Sequence, residues 1–168
     1  MRWVVIDSPI GELSVAAGNA DVAGPAAVGG VHFGRHPVAV PHSEGGPAPL
    51  DEAVAQLRAY FAGELTVFTV PLRAPGGSDF ERAVWDRIAR VPYGEMITYG
   101  EIATGLGDVG AARAVGTACN RNPIPVLVPC HRVVGAGGKM VGFGGGLPRK
   151  RVLLELEARV TLQRDWLG

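Results

Sequence analysis

The chain has 168 residues, enough for one domain or two small ones, with 47% hydrophobic residues, 19% charged, 25 glycines and 13 prolines. That balance excludes coiled-coil, collagen-like and disordered chains, and no apolar run reaches the ~20 residues of a membrane helix. Sixteen cations match sixteen acids. The opening Met1-Arg2-Trp3-Val4-Val5-Ile6-Asp7 meets an acid too early for a secretory signal, so a cytoplasmic protein with no membrane partner is expected. Its two cysteines, Cys119 and Cys130, permit one disulfide at most, and a reducing compartment favours free thiols.

Taken in chain order, Trp3–Ile6 and Leu13–Ala17 flank a turn-rich Asp7–Glu12 and predict a hairpin. Val28–Phe33 adds a strand after a Gly/Ala/Pro-rich stretch, and residues 34–49 are expected to be loop. Within 50–65, Leu50, Ala53, Val54, Leu57, Tyr60 and Phe61 share one helical stripe, and Thr66–Leu72 alternates like a short strand. Ala74-Pro75-Gly76-Gly77 breaks the pattern, which places a boundary between residues 1–75 and 76–168.

Beyond it, Ser78-Asp79-Phe80-Glu81 is a capping box opening a helix with Phe80, Val84, Ile88 and Val91 on one face, ending before Pro92. Thr98-Tyr99-Gly100-Glu101 is a second box, starting a short helix to about Leu106. Gly107–Gly110 turns the chain, and Ala111–Asn120 is helical. Two short helices joined by a Gly-containing turn outline a helix-turn-helix. Small residues at Ala112, Ala114 and Gly116 leave a smooth face from which Arg113 projects. Such a face suits close approach to a DNA groove, and equally suits tight packing against a neighbouring helix.

Charge is unevenly spread. Residues 1–75 carry four Lys/Arg and seven Asp/Glu, whereas Val109–Arg151 carries seven cations and no acid. Fourteen of the sixteen cations are Arg, as a GC-rich genome or phosphate recognition would each give. Ile124–Val128 is apolar and β-branched, predicting a buried strand that delivers Pro129-Cys130-His131-Arg132-Val133 at its end. A cysteine beside His and Arg is a candidate nucleophile with an expected lowered pKa; the alternative is a buried, inert thiol. Pro148 suits the first turn of a final helix with Val152, Leu153, Leu156 and Val160 facing inward. Gly142–Gly146 lacks the spacing of a nucleotide-triphosphate loop.

Pro129-Cys130-His131-Arg132-Val133, with Asn122-Pro123-Ile124-Pro125, Arg113-Ala114-Val115-Gly116 and Gly142-Phe143-Gly144-Gly145-Gly146, resembles the O6-alkylguanine-DNA alkyltransferase family over Phe80 to Glu157. The resemblance implies an α+β fold. A small N-terminal α/β, ribonuclease-H-like domain with antiparallel strands supports a mostly helical C-terminal domain containing a helix-turn-helix. It implies a monomer that binds double-stranded DNA carrying O6-alkylguanine and transfers the alkyl group irreversibly to Cys130, without cofactor or metal. In that scheme His131 and Glu157 form a relay to the thiol, Asn122 ties helix to active-site segment, and Tyr99 meets the flipped base. Arg113 fills the space the base leaves. Ala112, Ala114, Gly116 and Arg132 complete the DNA surface, while Val133, Phe143, Gly144 and Cys119 line the pocket.

Two positions depart from the family pattern. Phe143 stands where many members have Tyr, removing one hydroxyl donor. Cys119 stands where a larger apolar residue is common. Residues 1–75 contain no cysteine to match the zinc ligands of some relatives, and His32, His36 and His42 complete no metal set. A non-catalytic sensor of alkylated DNA and a cysteine hydrolase are the competing readings.

Overall fold

The computed structural model describes residues 1–18 and 24–167. Residues 19–23, within the Gly/Ala/Pro-rich stretch, lie outside that description. The chain forms two compact units, Met1–Pro75 and Gly76–Gly168. The architecture is mixed α+β.

In the first unit, β1 (Arg2–Ile6) pairs antiparallel with β2 (Leu13–Gly18), and β2 pairs antiparallel with β3 (Ala27–Phe33). Between β1 and β2, Ser8 Oγ donates to the Gly11 carbonyl at 2.6 Å, and Gly11 takes a φ of 93° that a residue with a Cβ resists. A two-residue β4 (Val40–Pro41) adds parallel to β1, giving the order β3-β2-β1-β4. The expected loop over 34–49 therefore contains an edge strand. It also ends early, because α1 spans Ala48–Phe61. Leu50, Ala53, Val54, Leu57 and Tyr60 of α1 are buried, as are Val4, Leu13, Val15 and Val28 of the sheet, where apolar burial is worth about 25 cal/mol per Å².

Thr66–Leu72 is not a strand. Gln56 Oε1 accepts from the backbone of Thr69 and Val70, so a side chain takes the donors a ladder would need, and only an isolated Val28–Leu72 bridge remains. The three N-terminal histidines are engaged locally. Trp3 stacks on His36 with centroids 4.1 Å apart, His32 meets His36 edge-on, and His42 Nε2 bonds Asp51 at 2.9 Å.

The second unit begins with α2 (Asp79–Ala89), whose box is complete: Ser78 accepts from the Glu81 amide while Glu81 accepts from the Ser78 amide. Val84, Trp85 and Ile88 are buried, and Trp85 Nε1 donates to the Ala118 carbonyl at 2.9 Å; Phe80 lies at the surface. Strand β5 (Ile97–Thr98) leads into α3 (Tyr99–Gly105), where Thr98 and Glu101 form the second box. A turn joins α3 to α4 (Ala112–Asn120), and α4 packs on both α2 and α3. After a 3-10 turn, Cys130–Arg132, strand β6 (Val133–Val134) pairs parallel with β5. Helix α5 (Leu147–Leu167) closes the unit. Leu153, Leu156 and Val160 face inward as expected, but Val152 is exposed. Among the described residues, no helix is long and apolar enough to cross a membrane.

The strand expected over Ile124–Val128 is absent. Instead the Val128 amide bonds back to the Ile124 carbonyl at 2.9 Å, and buried Val126 sits at φ 71°. Left-handed backbone is costly for a β-branched residue and persists only where its surroundings impose it. Here the imposition comes from Asn122. Its Nδ2 donates to the Val128 carbonyl and its Oδ1 accepts from the Ile124 amide, both at 2.9 Å.

Candidate active site

That stapled turn delivers Cys130 on a 3-10 turn rather than at a strand end, so His131 does not alternate to an opposite sheet face. Cys130 retains 7% of its surface, while His131 and Glu157 have almost none. His131 Nε2 lies 2.7 Å from Glu157 Oε2. A carboxylate only accepts, so Nε2 carries the proton of that bond and Nδ1 is left as a lone-pair acceptor. Nδ1 is buried and has no hydrogen-bond partner in the protein.

Glu157 is held from several sides. Besides His131 it accepts from Arg132 Nε at 2.8 Å, from Arg132 Nη2 at 3.0 Å, and from the Gly94 amide at 3.1 Å. Burial alone would raise its pKa, but the bonds from His131 and Arg132 outweigh this and hold the carboxyl far below the usual range. His131 shifts downward because burial penalises the imidazolium more than Glu157 rewards it. The hydrogen-bonded pair is thus a neutral imidazole and a carboxylate.

Arg132 corrects the sequence reading. It was expected on the DNA surface, yet it is buried, forks onto Glu157, and donates Nη1 to the Val91 carbonyl at 2.7 Å. Its charge is spent internally. The expected lowered Cys130 pKa is corrected for the same reason. With Arg132 committed to Glu157 and His131 neutral, burial dominates and pushes the thiol up to about 11, opposed by a hydrogen bond from Asn122 and the charge of Lys150. A protonated thiol is therefore the resting form.

Tyr99 is half-buried at the start of α3. Its hydroxyl donates to the Val141 carbonyl at 2.9 Å, and burial, with the two cysteines, pushes its pKa up to about 12. The phenol thus remains a donor at neutral pH. Cys119 on α4 is buried and free like Cys130, and burial likewise pushes it up to about 12. Val133 is fully buried and enters the site through its carbonyl. Phe143 is half-buried and Gly144 exposed in the loop before α5. A Cβ on Gly144 would meet the Asn120 carbonyl at 3.5 Å.

On α4, Val115, Ala118 and Cys119 are buried, while Ala112 and Gly116 are half-buried and Arg113 and Ala114 exposed. The packing alternative thus holds for the face carrying Val115, Ala118 and Cys119, while the face carrying Arg113 and Ala114 is open to solvent. A Cβ on Gly116 would lie in ordinary contact with the Tyr99 ring at 3.8 Å, which places this part of α4 next to Tyr99. Lys150 is the residue that sequence reasoning missed. Counted among the basic segment's surface charges, it is fully buried, with Nζ bonding carbonyls. The signal available in the sequence was its spacing, three residues before Leu153 and six before Leu156 on one face of α5.

The family model described as "6-O-methylguanine DNA methyltransferase, DNA binding domain" matches residues 79–159. A methylated-DNA–protein-cysteine methyltransferase of Methanosarcina acetivorans is 46% identical over 160 residues, covering 94% of this chain and 98% of the relative. The chain belongs to that methyltransferase family. Its relative from Mycobacterium bovis is 58% identical over 111 residues, covering 66% of this chain and 67% of the relative. Among solved structures, Mycobacterium tuberculosis OGT in complex with DNA aligns with a TM-score of 0.82 at 44% identity, covering 95% of this chain and 94% of that one. Membership makes Cys130, the one thiol adjoining a His–Glu pair, the methyltransferase's cysteine to test first.

Proposed function

We propose that this methyltransferase repairs duplex DNA by moving the alkyl group of O6-alkylguanine irreversibly onto Cys130, once per molecule. The observation carrying the reading is the buried His131–Glu157 pair directly following Cys130 in the chain, with Nδ1 of His131 left as an acceptor without a partner in the protein. A water bridging Sγ to Nδ1 passes the proton to His131, and Glu157 stabilises the imidazolium. The thiolate attacks the alkyl carbon in line. The S–C bond forms as the C–O6 bond breaks, the electron pair passes into guanine, and a proton reaches the base through solvent. The net exchange is S–H and O–alkyl for S–alkyl and guanine N–H.

Reaching a buried sulfur requires the nucleotide to leave the stack, at a cost of a few kcal/mol. Helices α3 and α4 serve as the helix-turn-helix, with exposed Arg113 entering the duplex and Ala112, Ala114 and Gly116 allowing the helix close approach. Tyr99 exchanges the Val141 carbonyl for the flipped base and donates to it as charge develops. Phe143, Gly144 and Cys119 form the remaining pocket wall. The first unit, three antiparallel strands with a parallel edge and a packed helix, is the supporting ribonuclease-H-like domain.

The test mixes purified protein with a duplex containing O6-methylguanine and maps tryptic peptides by mass spectrometry. One methyl on the Cys130 peptide, at most one per molecule and lost in Cys130→Ser, is expected. Binding without a mass change would mean a sensor, and repeated turnover of an ester would mean a hydrolase.

A further inference from the structure

Lys150 is the one lysine among the described residues withdrawn wholly from solvent, and nothing in the relay uses it. Burying an ammonium is expensive unless its protons are matched. Here they are. Nζ donates to the Val133 carbonyl at 2.7 Å, the Gly142 carbonyl at 3.1 Å and the Val141 carbonyl at 3.4 Å. Three acceptors match the three N–H groups of the charged form, whereas a neutral amine has only two.

The placement of those carbonyls is informative. Val133 follows the Cys130 turn directly, and Val141 and Gly142 lie in the loop that carries Phe143 and Gly144. The Val141 carbonyl also accepts from Tyr99. Lys150 therefore ties the active-site turn to the pocket loop, with Tyr99 on the same acceptor. The titratable groups facing it are Cys130 and His131 from the 3-10 turn and Cys119 from α4; its charge favours a thiolate and opposes an imidazolium at His131, and no carboxylate pairs with it among the described residues. A buried cation beside two thiols, neutralised only by carbonyl dipoles, has its strongest attraction held in reserve for the moment a thiolate forms.

We propose that Lys150 is a positioning residue that stabilises the thiolate of Cys130 by its fixed charge while clamping the pocket loop to the active-site turn. It gives up no proton. The sulfur's proton goes to His131, and Lys150 remains an ammonium before and after transfer. The inference rests on Cys130 being the acceptor, but it concerns the thiol itself and is testable without DNA.

Lys150→Gln keeps a donor for the carbonyls and removes the charge. The measurement is the rate of Cys130 capping by iodoacetamide against pH, followed on the Cys130 peptide, with the thermal midpoint as a check on folding. We expect capping at pH 7.5 to slow about tenfold and the pH midpoint to rise by about one unit, with Lys150→Arg restoring much of both. A folded glutamine variant with the wild-type midpoint would overturn the proposal, leaving a clamp alone.

The chain has only two lysines, Lys139 and Lys150, so lysine-selective NMR of wild-type protein gives a second reading that needs no variant. The buried lysine's signal should shift as Cys130 deprotonates and lose that shift after capping. A signal indifferent to capping would also overturn it. Methyl uptake from an O6-methylguanine duplex, run in parallel on wild type, separates failure of the repair reading from failure of this one.

Discussion

Glu157 accepts from His131, from the Gly94 amide and twice from the buried Arg132 guanidinium. Removing one partner of a buried ion pair strands the other, at about 3–5 kcal/mol. Glu157→Gln should therefore lower stability by that order in denaturant titrations and slow methyl uptake, because the negative charge that would stabilise a His131 imidazolium is gone. The pH dependence has a definite sign. The folded pKa of Glu157 is depressed, so its stabilisation is complete above the ordinary value of 4.5 and is lost as pH falls below it. His131 acts in the same sense from pH 6.5 downward, since the unfolded chain takes up the proton that the buried ring refuses. Wild type should lose melting temperature in two acid stages, and Glu157→Gln should flatten the lower one. An unchanged lower stage would contradict this assignment.

At Phe143 the prediction is kinetic. If the missing hydroxyl lowers the transfer rate, Phe143→Tyr should raise the single-turnover rate on an O6-methylguanine duplex severalfold, with little change in melting; no change would remove the argument. Single residues were unevenly legible in the sequence. The Cys-His pair and distant Glu157 came through the family resemblance, whereas Arg132 and Lys150 were misplaced by local charge counting. The acid that claims Arg132 lies 25 residues away on α5, and the groups that hold Lys150 are backbone carbonyls, which composition does not display.

Elements whose information is local were readable. Both capping boxes formed as written, since a Ser or Thr at the cap and a Glu three residues on satisfy each other regardless of tertiary context. The failures were apolar segments whose hydrogen bonds go to side chains. Gln56 takes the backbone of Thr69 and Val70, and Asn122 takes that of Ile124 and Val128, so neither stretch joins a ladder. β-branched composition reports burial there and not conformation. Asn122 thus supports a strained turn as well as bonding Cys130. Asn122→Ala should cost about 1–3 kcal/mol through the unpaired Ile124 amide and Val128 carbonyl. It should also slow capping of Cys130, because the turn loses its staple and the sulfur a donor. Loss of stability with unaltered thiol reactivity would confine Asn122 to a structural part.

For the molecule as a whole, the seven cations of the acid-free segment Val109–Arg151 invited a count of phosphate contacts. The fold buries two, Arg132 and Lys150, and engages Arg149 and Arg121 in part with the Gly145 carbonyl and Glu81, which leaves at most five (7 − 2) for a duplex. Each phosphate neutralised contributes about −0.9 to the slope of log affinity against log salt, so this segment supplies a slope no steeper than about −4.5. Fluorescence anisotropy with undamaged duplex between low and moderate salt measures it. Arg113→Ala should make the slope shallower by at most about 0.9, the share of one cation, and by less if Arg113 enters the base stack as proposed. Its larger effect should fall on repair: transfer from duplex O6-methylguanine should slow far more than reaction with free O6-benzylguanine, which requires no flipping. Equal losses on both substrates would place Arg113 outside the extrusion step. A slope well beyond the bound would mean that cations outside this segment carry the contact.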